Sequence, residues 1–276
     1  MERYYKINYQ RKIDRLIDGT CKPIKHFSLN QLFVGFSNRY RCHVFVKVFA
    51  PHQRAKMNAE LQVNKQLNNR VLDIFNDEQP ILIMKDLAPA DLIPPITREL
   101  ATKMGEMLRK FHHAVQPFTQ ITSFRANFTR SGFEELSGRF IQKQAIIDAD
   151  LSHQVVLHGD VGLRNYKLVA GKITLIDFER AQLGIAQRDF VKLFYQDFAG
   201  QTELIEAFLK GYGEFNSIDP ETWLFLVFDT ALGIKDYVTK VDDPEFAAIA
   251  EQMLEDVTQQ KRGCDISYKN RSSTRL

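Results

Sequence analysis

Residues 155–179, VVLHGDVGLRNYKLVAGKITLIDFE, constrain this chain more than any other stretch. Val155, Val156 and Leu157 make an apolar run of strand length that ends in His158-Gly159-Asp160. Asn165 follows five positions after Asp160, and a second apolar run at 173–176 delivers Asp177. Two short strands that each run out into a carboxylate, with an amide between them, set three oxygen donors at strand ends. That set suits phosphate chemistry. One carboxylate can accept a proton from a hydroxyl. The other carboxylate and the amide oxygen can hold a hard cation such as Mg²⁺, which takes oxygen ligands and nucleotide phosphates. The alternative is a turn after a core strand, since Asp, Gly and Asn favour turns whatever the protein does, but a turn does not call for the second motif.

HGDVGLRN followed by IDFE resembles the catalytic and metal segments of the aminoglycoside phosphotransferase/choline kinase family, the small-molecule branch of the kinase-like fold. The family pattern is H-G-D-x-x-x-x-N and then I-D-F/W-E. The resemblance implies an α+β, bilobal protein-kinase-like fold, with an antiparallel β-sheet N-lobe and a mainly helical C-lobe. It implies ATP and Mg²⁺ as cofactors. Asp160 would be the catalytic base, His158 a brace of the catalytic loop, and Asn165 and Asp177 the metal ligands, Asn165 counting in the catalytic set as well. The tight motifs lie only in 155–179, while the looser likeness runs over about 25–240.

The chain ahead of this stretch changes pattern several times. Residues 3–18 carry apolar side chains at helical spacing, with Gly19 as the expected stop. Residues 22–50 are rich in strand formers, and alternation puts Phe45, Lys47 and Phe49 on one face. A lysine between two phenylalanines is either a phosphate contact or an edge-strand lysine that discourages aggregation. In the family a following helix supplies a glutamate that pairs with the lysine. Glu60, 13 residues after Lys47, is the candidate, and the alternative is an exposed glutamate beside Asn64 or Lys56. Two registers fit the phosphate-covering turn: 28–31, beginning at Ser28, or 35–38, where Gly35-Phe36-Ser37-Asn38 matches a G-x-[ST]-N pattern. The strand expected at 79–87 leads into a hinge, where the resemblance sets Met84, Lys85, Asp86 and Leu87 against the adenine. The domain reading is therefore an N-lobe at 1–87 with a helix at 53–69, a Pro-rich hinge at 88–96, a helical C-lobe at 97–262 with the catalytic and acceptor site, and a basic tail at 263–276 expected to be disordered.

Later helices carry two further polar residues of interest. Thr97 is placed to cap a long amphipathic helix that ends in His112-His113; adjacent side chains diverge by about 100° and cannot chelate one metal, so His112 reads as a hydrogen-bonded structural histidine. Asp189 matches the family's aspartate at the start of a helix and reads as support for the site.

Composition excludes several other functions. A net charge of +3 over 276 residues does not argue for nucleic acid. Three widely spaced cysteines make neither a zinc site nor a disulfide framework, so a reducing, cytoplasmic location is expected. No apolar run is long enough to span a bilayer. The expected partner is a small hydroxyl-bearing acceptor, with no nucleic acid and no membrane, and the chain is expected to be a monomer or weak homodimer. Family acceptors such as choline, ethanolamine, amino sugars and thiamine are often cationic. Asp229, Asp236, Trp223, Tyr237, Asp242 and Asp243 are the residues that could receive a cation. A protein Ser/Thr kinase fits less well: only 11 residues separate Asp177 from Asp189, too few for a long activation segment. A nucleotide-binding scaffold without turnover is the third reading, held open by the glycine-poor 28–31 turn.

Overall fold

Alternating apolar side chains in the N-terminal third build one antiparallel sheet. The structure is a computed structural model that describes residues 9–25, 30–67, 70–126, 133–149, 154–213 and 219–260, with residues 142 and 145–149 in backbone only. The tail at 263–276 and most of the 28–31 turn lie outside the described residues. The chain forms two compact units: Met1–Pro89 with Asp177–Ala181, and Ala90–Ile176 with Gln182–Leu276. Asp177–Ala181, which the sequence groups with the helical region, thus belong to the first unit.

In the first unit, α1 (Gln10–Ile17) buries Ile13 and Ile17, one helical turn apart. It ends at Asp18, whose φ of 48° is left-handed, rather than at Gly19, which opens β1 (Gly19–Ile24). The strands β2 (Gln31–Ser37), β3 (Cys42–Val48), β4 (Val71–Phe75) and β5 (Ile81–Lys85) complete a sheet of order β1-β2-β3-β5-β4. Period-two alternation gives this sheet two buried faces. One carries Phe33, Val44, Val46, Val48, Ile81 and Ile83 against α1. The other carries Phe49, Leu82 and Met84 against Met57 and Leu61 of α2 (Arg54–Leu67). Gly35 lies inside β2 opposite Cys21, and a Cβ there would meet the Thr20 carbonyl oxygen at 2.2 Å. That close strand approach explains the glycine.

The second unit is mainly helical. Its helices are α3 (Arg98–Ala114), α4 (Glu134–Ala149), α5 (Arg188–Lys192), α6 (Thr202–Tyr212), α7 (Pro220–Val238) and α8 (Pro244–Thr258). Short strands β6 (Ala90–Asp91), β8 (Tyr166–Val169) and β9 (Lys172–Leu175) pair antiparallel, as do β7 (Gln154–Leu157) and β10 (Gln182–Ile185). Thr97 caps α3 by accepting the Leu100 N–H at 3.1 Å. Asp219 and Asp243, each followed by proline, cap α7 and α8 in the same way. α7 is apolar nearly all round and lies in the core, with Trp223, Phe225, Leu226 and Phe228 buried. Phe190, Phe194 and Phe208 meet edge-to-face or tilted at 5.4–5.8 Å, a geometry that aromatic rings prefer. α3 and α6 cross closely: a Cβ on Gly211 would sit 1.9 Å from the Thr102 carbonyl oxygen. Among the described residues no helix is long and apolar enough to cross a membrane.

Candidate active site

The first unit gathers charge around Lys47. β3 is the central strand, so the edge-strand reading of this lysine falls away. Its ammonium lies 2.6 Å from Asp177 Oδ1, 2.7 Å from Glu179 Oε2 and 3.5 Å from Glu60 Oε2, with the Phe49 ring centroid 5.1 Å away. Burial alone would lower the lysine pKa, but Glu60, Asp177 and Glu179 outweigh it and hold the value well above the ordinary range. Glu60 is 1% exposed. Its Oε1 accepts from Asn64 Nδ2 at 3.2 Å, and Arg70 Nη2 lies 3.8 Å from the same oxygen. A buried carboxylate so braced is not the exposed helical glutamate of the alternative reading. Glu179 also accepts from Asn30 Nδ2 at 2.7 Å, and Lys56 lies 3.5 Å away. Asp177 has φ 68°, a left-handed conformation that Asp tolerates better than most residues. Its side chain keeps a third of its surface exposed.

In the stretch 84–87, Met84 is fully buried between Phe45 and Val71 in the sheet, and Lys85 is exposed. The Asp86 N–H donates to the His43 carbonyl, and Asp86 Oδ1 accepts the Ala88 N–H at 3.0 Å; Leu87 is half-buried.

In the second unit, β7 runs into Gly159, whose φ of 78° only glycine adopts freely. The loop that follows is held from several sides. Asp189 Oδ2 accepts the His158 N–H at 2.7 Å, and Oδ1 accepts the Gly159 N–H at 2.9 Å. His112 Nε2 stands 3.0 Å from the same Oδ2, and its Nδ1 meets the Tyr212 hydroxyl at 2.7 Å. Burial would raise the Asp189 pKa, yet the hydrogen bond and charge of His112 and the His158 backbone N–H outweigh it and hold the carboxyl below its ordinary value. His158 Nε2 is 2.9 Å from the Ile176 carbonyl, which can only accept, while Nδ1 accepts the Asp160 N–H at 3.3 Å. Those partners fix the tautomer with the proton on Nε2. Asn165 is buried. Its Nδ2 donates to the Asp160 backbone carbonyl at 2.8 Å and its own backbone carbonyl accepts the Ile176 N–H at 3.1 Å.

The Asp160 carboxylate meets two cations, Arg164 from within its own motif and Lys192, which that motif does not announce. Lys192 Nζ lies 2.6 Å from Oδ1, and Arg164 Nη2 lies 2.6 Å from Oδ2. Lys192 comes from α5, three positions after Asp189; that spacing on a helix turns both toward one loop and was the available signal for it. Its ammonium also lies 5.6 Å from the Phe246 ring centroid, and Phe246 meets Tyr237 edge-on. α5 continues as a π turn to Asp197, whose Oδ2 accepts the Leu163 N–H at 3.0 Å. Burial pushes the Asp197 carboxyl pKa up, against Leu163, Lys192 and Arg164. The residues expected to receive a cation are dispersed. Trp223 is core, Asp229 pairs with Arg188 at 2.9 Å, Asp243 caps α8, and Asp236 and Asp242 are exposed. Among the described residues no group of three or more His, Cys, Asp or Glu is placed to hold a metal ion. The donors expected for Mg²⁺, the Asp177 carboxylate and the Asn165 amide oxygen, are hard oxygens of the kind that ion takes.

The choline kinase LicA from Streptococcus pneumoniae superposes with a TM-score of 0.66 over 91% of this chain and 97% of its own, at 15% identity. An amicoumacin kinase, hAmiN, solved with AMP-PNP, Ca²⁺ and amicoumacin, gives 0.60 over 94% and 96% at 12% identity. A thermostable mutant of aminoglycoside phosphotransferase APH(4)-Ia gives 0.56 over 92% and 99% at 11% identity. The fold is therefore the α+β protein-kinase-like fold, antiparallel sheet first and helices after. No curated protein matches the sequence. The chain belongs to the phosphotransferase enzyme family, APH, whose profile matches residues 20–226.

Proposed function

We propose that this protein transfers the γ-phosphoryl group of ATP to the hydroxyl of a small molecule. The observation that carries this reading is Lys47 held between Glu60 and Asp177, a lysine–glutamate pair with a carboxylate suited to a metal. Lys47, directed by Glu60, binds the α- and β-phosphates. Residues 84–87 meet the adenine, through Met84, Lys85, Asp86 and Leu87. Asp177 and Asn165 would hold Mg²⁺, which would supply positive charge to neutralise the phosphates. Asp160 orients the acceptor hydroxyl in line with the phosphorus and takes its proton at a carboxylate oxygen. His158 and Asp189 keep the loop that carries Asp160 in place. Catalysis in this class is mostly positioning and charge neutralisation, which buried and braced side chains provide. A cytoplasmic location fits the cysteine usage and the absence of an apolar span among the described residues.

The neighbours named for choline, amicoumacin and aminoglycosides support a small acceptor rather than a protein. The short path from Asp177 to Asp189, much of it β10, supports the same choice. The test is Mg-ATP transfer against a panel of small alcohols, with ADP release and phosphorylated product both measured. Transfer abolished by Asp177→Ala is expected; magnesium-independent turnover, or none with any acceptor, would remove the reading.

A further inference from the structure

The surroundings of Asp160 say something about the acceptor's charge, given the phosphotransferase reading. Both carboxylate oxygens of Asp160 carry a cation at 2.6 Å. An acceptor hydroxyl needs one of those oxygens. Lys192 is the less movable partner: its side chain is 17% exposed and it spans from Oδ1 to the Phe246 ring. Arg164 is the movable one, with 63% of its side chain in solvent and a long flexible stem. When the hydroxyl takes Oδ2, the guanidinium has to leave it for another anion. A carboxylate or phosphate on the acceptor accepts a guanidinium through two parallel hydrogen bonds, so exchange then trades one charge-assisted pair for another. A quaternary or primary ammonium acceptor offers no such exchange and would stand beside two cations. The acids that could have drawn it are otherwise engaged or exposed: Asp229 holds Arg188, Asp243 caps α8, and Asp197 holds the Leu163 N–H. Phe246 and the half-exposed Tyr237 add an apolar wall beside Lys192.

We propose that the acceptor is a hydroxyl compound bearing a carboxylate or phosphate, and that Arg164 is the residue that reads that anion while Lys192 positions Asp160. This departs from the cationic acceptor that the family resemblance suggests.

The experiment uses full-length protein and matched probes that share a hydroxyl: glycerol, glycerate, glycerol 3-phosphate, gluconate, choline and ethanolamine. Binding is read first without nucleotide, as a thermal shift. The anionic probes are expected to raise the melting temperature of wild type and not of Arg164→Gln, with Arg164→Lys recovering part of the shift. The glycerate and glycerol 3-phosphate arms separate a carboxylate from a phosphate. In Mg-ATP transfer, Arg164→Gln should raise KM for the anionic acceptor by about 10- to 100-fold with a smaller change in kcat, the size of a lost hydrogen bond to a charged group. Lys192→Met should lower kcat for every acceptor. Preference for choline or ethanolamine, or an anion shift equal in wild type and Arg164→Gln, or no anion shift at all, would overturn the proposal. Failure of the phosphotransferase reading looks different: no magnesium-dependent ATP turnover with any acceptor, whether or not the anion shift is present.

Discussion

Asp189→Ala should unfold the second unit more readily than any surface change, and its effect can be worked out from the geometry. The carboxylate is 3% exposed and accepts from three donors: the His158 and Gly159 amides at 2.7 and 2.9 Å and His112 Nε2 at 3.0 Å. Alanine leaves those donors without an acceptor. Each buried donor left unmatched costs about 1–3 kcal/mol, and water entering the space recovers part of it, so the expected loss is about 3–5 kcal/mol. That is a large share of a domain stability of roughly 5–15 kcal/mol. Asn keeps one acceptor oxygen but turns an amide toward a donor, and should lose about half as much. Urea unfolding followed by the fluorescence of the single tryptophan, Trp223, reports on the same unit because that residue is buried in its core. The acid limb gives a second check. A carboxyl whose folded pKa is depressed contributes stability that is present above its unfolded value, about 3.9, and lost as pH falls through the lower folded value. The stability difference between wild type and Asp189→Asn should therefore shrink below about pH 4. An Ala variant within about 1 kcal/mol of wild type, or a difference that ignores pH in that window, would refute the role.

Asp160→Ala and Asp177→Ala should each reduce the transfer rate by ~10³-fold or more while melting within a few degrees of wild type, measured by steady-state kinetics and thermal unfolding. Gly211→Ala should destabilise by about 1–3 kcal/mol, because the added methyl would overlap the Thr102 carbonyl oxygen; urea midpoints check it. Cys21 should resist a thiol reagent at pH 8 until the protein unfolds, since burial, with Asp14 beside it, pushes its pKa up to about 12, so that almost no thiolate exists; labelling followed by peptide mass analysis separates it from half-buried Cys42.

Features that depend on neighbours in sequence could be read from the chain directly. A strand, a glycine free to turn and an aspartate define the His158-Gly159-Asp160 loop without tertiary knowledge, and two-residue alternation places Lys47 on the α2 face of its strand. The Thr97 cap followed from one residue type at one position. What escaped depends on long-range pairing. Glu179 meets Lys47 across 132 positions, and nothing local in IDFE announces that contact. Nothing local to Lys192 announces its contact with Asp160, 32 positions earlier, to which α5 brings it. Gly35, in one of the two candidate phosphate turns, pairs with Cys21 inside the sheet, a fact of interstrand distance rather than composition. Asp18 took the left-handed ending that glycine usually supplies, as Asp can with only a modest backbone penalty.

The assignment of Asp177–Ala181 to the first unit has a practical corollary. A gene fragment that stops at Pro89 would encode the whole five-stranded sheet and yet omit Asp177 and Glu179, leaving Glu60 as the sole carboxylate for Lys47. Such a fragment would carry an under-neutralised interior ammonium, and the complementary piece would lose its partner lysine. The first unit is thus built from two separate stretches of chain, and any permuted or shortened form of it has to keep both to preserve that charge cluster.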